Sequence, residues 1–326
     1  MLDISLADNI NFSPLSHQEL TENWLPWIYY ASRFDQKFQE TLERLIDGAD
    51  AVLLEYPFWA AIAGPICRRR GVKLILTAHD VLAKQLPPHT WLAQVALAEE
   101  LQALREADEV VTLSPDDQAF FQSYNIASHC VPIGLDTQAT VDLLAPETAL
   151  ADLQAFDPTI DWRKPFCLFV GSQHPPNVKA VEQIQALAQV GGGHWQAIAV
   201  GSCCSPIRQR NFLALGKVSD SVLQALYQRS ALVLIPLEAG TGMSVKTLEA
   251  MACGKVILGT AIAFRGYPVE SGVDCLINNN LATYVGVIED IIQHPHQYDQ
   301  LGSSARNFAQ NYDYRQLYQT YLDLLS

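Results

Sequence analysis

Short apolar runs alternate with helical patterns along most of this 326-residue chain, and this alternation limits the fold more than any other feature. "DAVLLEYPFW" (50–59), "GVKLILTAHD" (71–80), the start of "DEVVTLSPDDQAFFQSY" (108–124) and "SHCVPIGLDT" (128–137) are strand-like, with helical patterns such as "QVALAEELQALREA" between them. A second series follows: "PFCLFVGS" (165–172), "WQAIAVGS" (195–202), "NFLALGKV" (211–218), "ALVLIPLE" (231–238), "KVILGT" (255–260) and "DCLINN" (274–279). Strands this apolar, separated by helices, are buried on both faces, which requires a parallel sheet covered by helices. Ser114 and Pro115 predict an N-cap and a first helical residue. Further helices are expected over 177–190, 219–229, 244–253 and 281–293, and a closing helical stretch is interrupted near Tyr312-Asp313.

Residues 145–164 carry turn signals and no strand, and read as an interdomain segment. The expected fold class is therefore α/β, with two Rossmann-like, doubly wound parallel-sheet domains facing a cleft. One spans 1–150 and the other 164–310, followed by a closing helical stretch at 311–326. Ligands of open α/β sheets bind beyond the carboxyl ends of the strands, which puts the expected site in the cleft.

Composition excludes several functions. With 21 basic and 35 acidic residues, 21 − 35 gives a formal charge of −14, so nucleic acid is repelled. Seven cysteines are scattered through apolar runs and read as reduced thiols in a cytoplasmic protein, the vicinal Cys203-Cys204 included. No apolar stretch is long enough to span a bilayer, so the chain is expected to be soluble or at most peripheral to the inner face of a membrane. The aromatic cluster in "ENWLPWIYYASRF" (22–34) reads first as helix packing, and second as an acceptor or membrane contact.

The segment "EAGTGMSVKTLEAMACGKVILGT" (238–260) carries the chemistry. It approaches a phosphate loop, yet Val245 stands where that motif has its last glycine, which argues against a P-loop ATPase. Gly240 and Gly242 allow close backbone approach, and a helix starting near Ser244 offers unpaired N–H groups to an anion. Lys246 adds a positive charge, and Glu249 lies one helical turn further on. A diphosphate suits the first group and ribose hydroxyls suit the carboxylate. The spacing alone equally allows a surface salt bridge between Lys246 and Glu249.

"VLIPLEAGTGMSVKTLEAMACGKVILGT" resembles the donor-binding signature of family 4 (group 1) glycosyltransferases, which have the GT-B fold. "FVGSQHPPNVKAVEQI", "GKVSDSVLQALYQRSALVLIPL", "ADEVVTLSPDDQAFF", "VPIGLDT", "LTAHD" and "SARNFAQNYDYRQLYQTYLDLL" resemble other parts of that family in the correct order. The resemblance implies transfer of a sugar from a UDP- or GDP-linked donor to an acceptor, with retention of configuration and without a metal or other cofactor. It implies that Glu249 binds ribose, and that Lys246 with Gly240, Thr241, Gly242, Met243 and Ser244 surrounds the diphosphate and sugar. Ser172 and Lys179 would face the diphosphate, Gly216 and Val218 would seat the nucleobase, and His79 would lie near the transferred sugar. Thr241 replaces the first glutamate of the family's E-x7-E pair. Members usually open with a strand and glycine-rich loop before anything like Asp50, whereas this sequence opens with "MLDISLADNINFSPLS", expected to be a later strand of the first domain. A noncatalytic nucleotide-sugar-binding subunit is therefore the second reading, and a GT-B epimerase the third.

Overall fold

A computed structural model describes Tyr29, residues 31–137 and residues 146–325. The expected opening strand, Trp24, Trp27 and Tyr30 lie outside the described residues. The chain groups into two compact units. One runs to Val111 and takes in Ala119–His129; the other comprises Thr112–Gln118 and Cys130–Leu324.

In the first unit α1 (Gln36–Leu45) is opened by Asp35, whose carboxylate accepts the Phe38 N–H at 2.9 Å and the Trp59 indole N–H at 3.1 Å. There follow β1 (Ala51–Glu55), α2 (Ala60–Arg70), β2 (Lys73–Ala78), α3 (Trp91–Leu104), β3 (Glu109–Thr112), α4 (Pro115–Gln122) and β4 (His129–Cys130), of which Thr112, the start of α4 and Cys130 group with the second unit. The strands form one sheet in the order β1-β2-β3-β4, with β1 and β2 parallel and Glu55 opposite Thr77. Ser114 caps α4 as its sequence implies, its hydroxyl accepting the Asp117 N–H at 3.1 Å. Glu100 on α3 is fully buried, and its carboxylate accepts the N–H groups of Leu82 and Ala83, which anchors the loop after β2. Of the aromatic cluster, Tyr29 packs on Phe58 at 5.1 Å between ring centroids, and Phe34 is exposed.

The second unit contains α5 (Pro146–Phe156), β5 (Phe166–Val170), α6 (Pro175–Val190), β6 (Gln196–Val200), β7 (Ile207–Arg208), β8 (Phe212–Gly216), α7 (Asp220–Arg229), β9 (Leu232–Ile235), α8 (Val245–Ala252), β10 (Ile257–Gly259) and β11 (Leu276–Ile277). It continues with α9 (Tyr284–Gln293), α10 (Asp299–Gln310), α11 (Tyr314–Leu317) and α12 (Gln319–Leu325). The sheet order is β11-β10-β9-β5-β6-β8-β7; the pairings are parallel except β7 with β8. The strand order steps from β5 outward in both directions, so the sheet is doubly wound. Strands β6 and β9 are buried throughout, as the continuous apolar runs require.

Two local features depart from the sequence reading. Residues 146–156 of the expected interdomain segment are a helix, α5, which packs against α7 with Ala149 and Leu153 fully buried. Its apolar positions fall at helical spacing, but the prolines and turn residues around it mask the pattern. The short antiparallel β7 comes from a polar stretch that has no strand signature. The expected break at Tyr312-Asp313 is present and has a cause. Leu135 N–H donates to Tyr312 O at 2.9 Å and Leu135 O accepts from Tyr314 N–H at 3.0 Å, so these backbone groups are taken out of the helix. Asp313 accepts from the Thr137 hydroxyl at 2.7 Å and caps α11.

If α5 is core, Leu153→Ala should lower the unfolding free energy by about 2–5 kcal/mol, as for other buried leucines. Urea denaturation measures this, and a loss near zero would return 146–156 to the status of a linker.

Candidate donor-binding site

Parallel pairing brings the carboxyl ends of β5, β6, β8, β9 and β10 to one edge of the second unit's sheet, and the expected donor residues follow those ends. After β9 the chain turns through Gly240 and Gly242. Gly242 sits at φ 61°, a left-handed conformation that glycine adopts without strain. Helix α8 then begins after Ser244, whose side chain makes no capping bond. The N–H groups at the start of α8 are therefore available to an anion. Val245 is the first helical residue, which a β-branched side chain tolerates, so its presence costs the turn nothing.

Three residues of the 260–267 loop fix this turn. Arg265 donates from Nε to Thr241 O at 2.9 Å and from Nη1 to Ile262 O at 2.8 Å, and its guanidinium fills the space that a side chain on Gly240 would need. Tyr267 OH donates to Ser244 O at 3.0 Å. Ala263 O accepts from the buried Thr247 hydroxyl at 2.6 Å.

Lys246 leaves α8 towards the end of β5. Its Nζ donates to Asn177 Oδ1 at 2.5 Å, and Asn177 Nδ2 donates to Ser172 O at 3.0 Å. Asn177 is buried on the first turn of α6, so an acceptor oxygen is held rigidly for the ammonium. Burial, and then the charge of Arg265, pull the Lys246 pKa down to about 8. Glu249, one turn on, does not close a salt bridge with Lys246; among the described residues no hydrogen bond or ion pair reaches its carboxylate. Burial raises the Glu249 pKa and the Lys246 charge partly opposes this. The surface salt bridge that the spacing allowed is thus replaced by a cation on a neutral amide and a half-buried carboxylate without a partner.

The remaining expected residues divide. Ser172 joins the Lys246–Asn177 chain. Gly216 ends β8 at φ 67°, its carbonyl accepting the Gly201 N–H at 2.8 Å, while Val218 packs against the core. Lys179 is turned to Glu238 at 2.5 Å, an exposed pair one strand end away. His79 belongs to the first unit. There its imidazole stacks on Tyr56 with centroids 4.2 Å apart and shares a 2.6 Å hydrogen bond with Glu55, so the ends of β1 and β2 hold it in one orientation. Tyr56 itself has φ 66°, uncommon for a bulky residue, and this rotation turns its ring over the imidazole.

No motif in the sequence marks Asn177, Arg265 or Tyr267. Each is a polar residue placed just beyond the carboxyl end of a strand, which is the one signal that could have found them. Cys203 and Cys204, expected as reduced thiols, are both free. Cys203 accompanies Lys246 electrostatically, and Cys204 lies under the Gly216 turn. A hydrogen bond from the Cys203 thiol, helped by the Gly216 and Leu215 N–H groups and opposed by burial, lowers the Cys204 pKa. All seven cysteines are free, and among the described residues no three metal-ligating side chains cluster.

A model of the Glycosyltransferase Family 4 matches residues 11–139, and a model of the Glycosyl transferases group 1 matches residues 164–294. The chain belongs to this glycosyltransferase family. Sucrose-phosphate synthase from Thermosynechococcus elongatus is 18% identical and superposes with a TM-score of 0.71, over 97% of this chain and 81% of that one. Anabaena HepE in complex with UDP-glucose is 20% identical with a TM-score of 0.70, over 89% and 81% of the two chains. A glycosyltransferase from Rickettsia africae is 15% identical with a TM-score of 0.69, over 97% and 83%. These likenesses establish the GT-B fold. No curated protein matches the chain in a sequence comparison.

The lowered pKa of Cys204 has a measurable outcome. Of the seven thiols it should alkylate with iodoacetamide at the lowest pH, below the ordinary thiol value of about 8.5. Peptide mapping across a pH series reads this directly, and labelling of Cys204 only in parallel with Cys130, whose pKa burial raises, would contradict it.

Proposed function

We propose that this protein transfers a sugar from a UDP-linked donor to a hydroxyl of an acceptor, with retention of configuration and without a metal ion. The observation that carries this reading is the Lys246 ammonium. It is half-buried, held by a neutral amide rather than a carboxylate, and stands at a helix start with unsatisfied N–H groups. A dianionic diphosphate supplies the charge that such a site lacks. As the sugar's bond to the diphosphate breaks, negative charge grows on the leaving group, and Lys246, Arg265 and the α8 amides are already in position to stabilise it. Glu249 accepts from the ribose hydroxyls. His79 serves the transferred sugar, with Glu55 setting its tautomer and orientation. Support for uridine comes from Anabaena HepE, a relative in fold whose structures hold UDP and UDP-glucose. The acceptor is a glycan, a lipid-linked saccharide or a small molecule, met in the cytoplasm or at the inner face of a membrane. Among the described residues no helix is long and apolar enough to cross a membrane.

One observation favours a second reading, a noncatalytic nucleotide-sugar-binding subunit. Lys246, Glu249, Arg265, Asn177 and Ser172 all belong to the second unit, so donor binding is not tied to the first. The experiment that separates the readings measures UDP affinity and UDP-sugar turnover side by side. Glu249→Ala should weaken UDP by about 1.5–3 kcal/mol, roughly 10- to 150-fold, with little change in melting temperature. His79→Ala should abolish most turnover and leave UDP affinity as it was. Wild-type protein that binds UDP tightly and turns over no UDP-sugar would favour the subunit; protein that binds no nucleoside diphosphate would sink both readings.

The lysine titration adds a pH signature. With its pKa lowered to about 8, free Lys246 is charged below that pH and neutral above it, and the bound diphosphate favours the charged form. UDP affinity should hold near pH 7.5 and fall by up to about tenfold per pH unit above about 8. Lys246→Ala should bind weakly and lose this slope. Calorimetry at several pH values checks both.

A further inference from the structure

A cavity lies on the opposite edge of the same sheet, at the amino-terminal ends of β9 and β10. Its volume is about 520 Å³, and its lining includes Lys255, Arg306, Tyr298, Asp299, Ser303 and Asn307. We propose that this cavity is an anion site for a small phosphorylated metabolite, held by Lys255 and Arg306 and separate from the donor site.

Two helix ends explain part of the positive charge. Lys255 Nζ donates to Gln228 O at 3.1 Å in the last turn of α7, and Arg306 Nη2 donates to Cys253 O at 3.2 Å at the end of α8. A cation at each helix carboxyl terminus offsets the local dipole. Three further features go beyond helix-end neutralisation. Arg229 brings a third cation close enough to act on Lys255. The Nε atoms of Arg229 and Arg306 are buried, with no hydrogen-bond partner among the described residues. No described carboxylate pairs with any of the three cations, in a chain with 35 acidic residues to draw on. Asp299 is the one acid in the lining, and it is turned outward to His296 with most of its side chain exposed.

Burial chiefly, against an opposing contribution from Cys253 and with a smaller push from the Arg306 and Arg229 charges, brings the Lys255 pKa down to about 8. An anion held by Lys255 and by the Arg306 guanidinium would relieve that repulsion. The space exceeds what a bare phosphate fills and is of the size that takes a small metabolite. Ser303 and Asn307, one turn apart on α10, offer polar groups at the rim for hydroxyls. The chemistry therefore fits a phosphate carried on a polar, sugar-sized body.

The test is calorimetric titration of the full chain with inorganic phosphate and with a hexose monophosphate. It is done in a Lys246→Met background, which removes the cation of the donor turn. The expected result is one hexose monophosphate per chain, bound more tightly than inorganic phosphate. Lys255→Met should weaken it by about tenfold or more. So should Ser303→Glu, which sets a carboxylate at the exposed rim and leaves the core alone. UDP affinity measured in otherwise wild-type protein should be unchanged by Ser303→Glu. Protein that binds hexose monophosphate but no UDP would support this site while sinking the donor reading. The absence of heat at millimolar concentration with either phosphate, or isotherms that Ser303→Glu leaves unchanged, would overturn the proposal. So would a loss of UDP affinity parallel to that of the phosphate.

Discussion

Parallel pairing of β5 with β6 and β9 is the constraint on which the second unit depends. Because parallel strands run the same way, every carboxyl end meets at one edge, and the loops after β5, β6, β8, β9 and β10 have to share it. Those loops carry Ser172, Cys203, Gly216, the Gly240–Ser244 turn and Arg265. The packing there is tight enough that a side chain on Gly201 would strike Gly171 O. The amino-terminal ends of the same strands meet at the opposite edge, where Lys255 and Arg306 line a cavity of their own.

The Gly240–Ser244 turn is held from outside itself. Arg265, Tyr267 and Thr247 contribute hydrogen bonds to or beside Thr241, Ser244 and Ala263, so the backbone that faces an anion is fixed before any ligand arrives. Preorganisation of this kind is what lets amide dipoles stabilise a developing charge without reorganising. The Lys246 ammonium is tuned by the same surroundings. Asn177 gives it a hydrogen bond without neutralising it, and burial with Arg265 keeps it near its titration point.

The first unit organises a different group by the same geometry. Glu55, Tyr56 and His79 follow the carboxyl ends of two adjacent parallel strands, and Glu100 ties down the loop that comes next. A buried carboxylate that caps backbone N–H groups is a structural use of charge. The stacking and hydrogen bond at the strand end fix the orientation of the His79 ring.

The sequence by itself determined the α/β class, the two-domain plan and nearly every strand and helix, because apolar strands and helical periodicity are local patterns. Ser114 as a cap, the break at Tyr312-Asp313, and the lysine and glutamate after the glycine turn were legible for the same reason. Helix α5 and strand β7 were not, since one is masked by its prolines and the other exists only because β8 offers it an edge. Tertiary structure alone decided which side chain Lys246 meets. Asn177 is 69 residues away in sequence, and it reaches Lys246 only because β5 and β9 lie side by side. It also decided that Lys179 goes to Glu238, and that Lys255, Arg306 and Arg229 converge, since helix ends distant in sequence come together only when the sheet assembles.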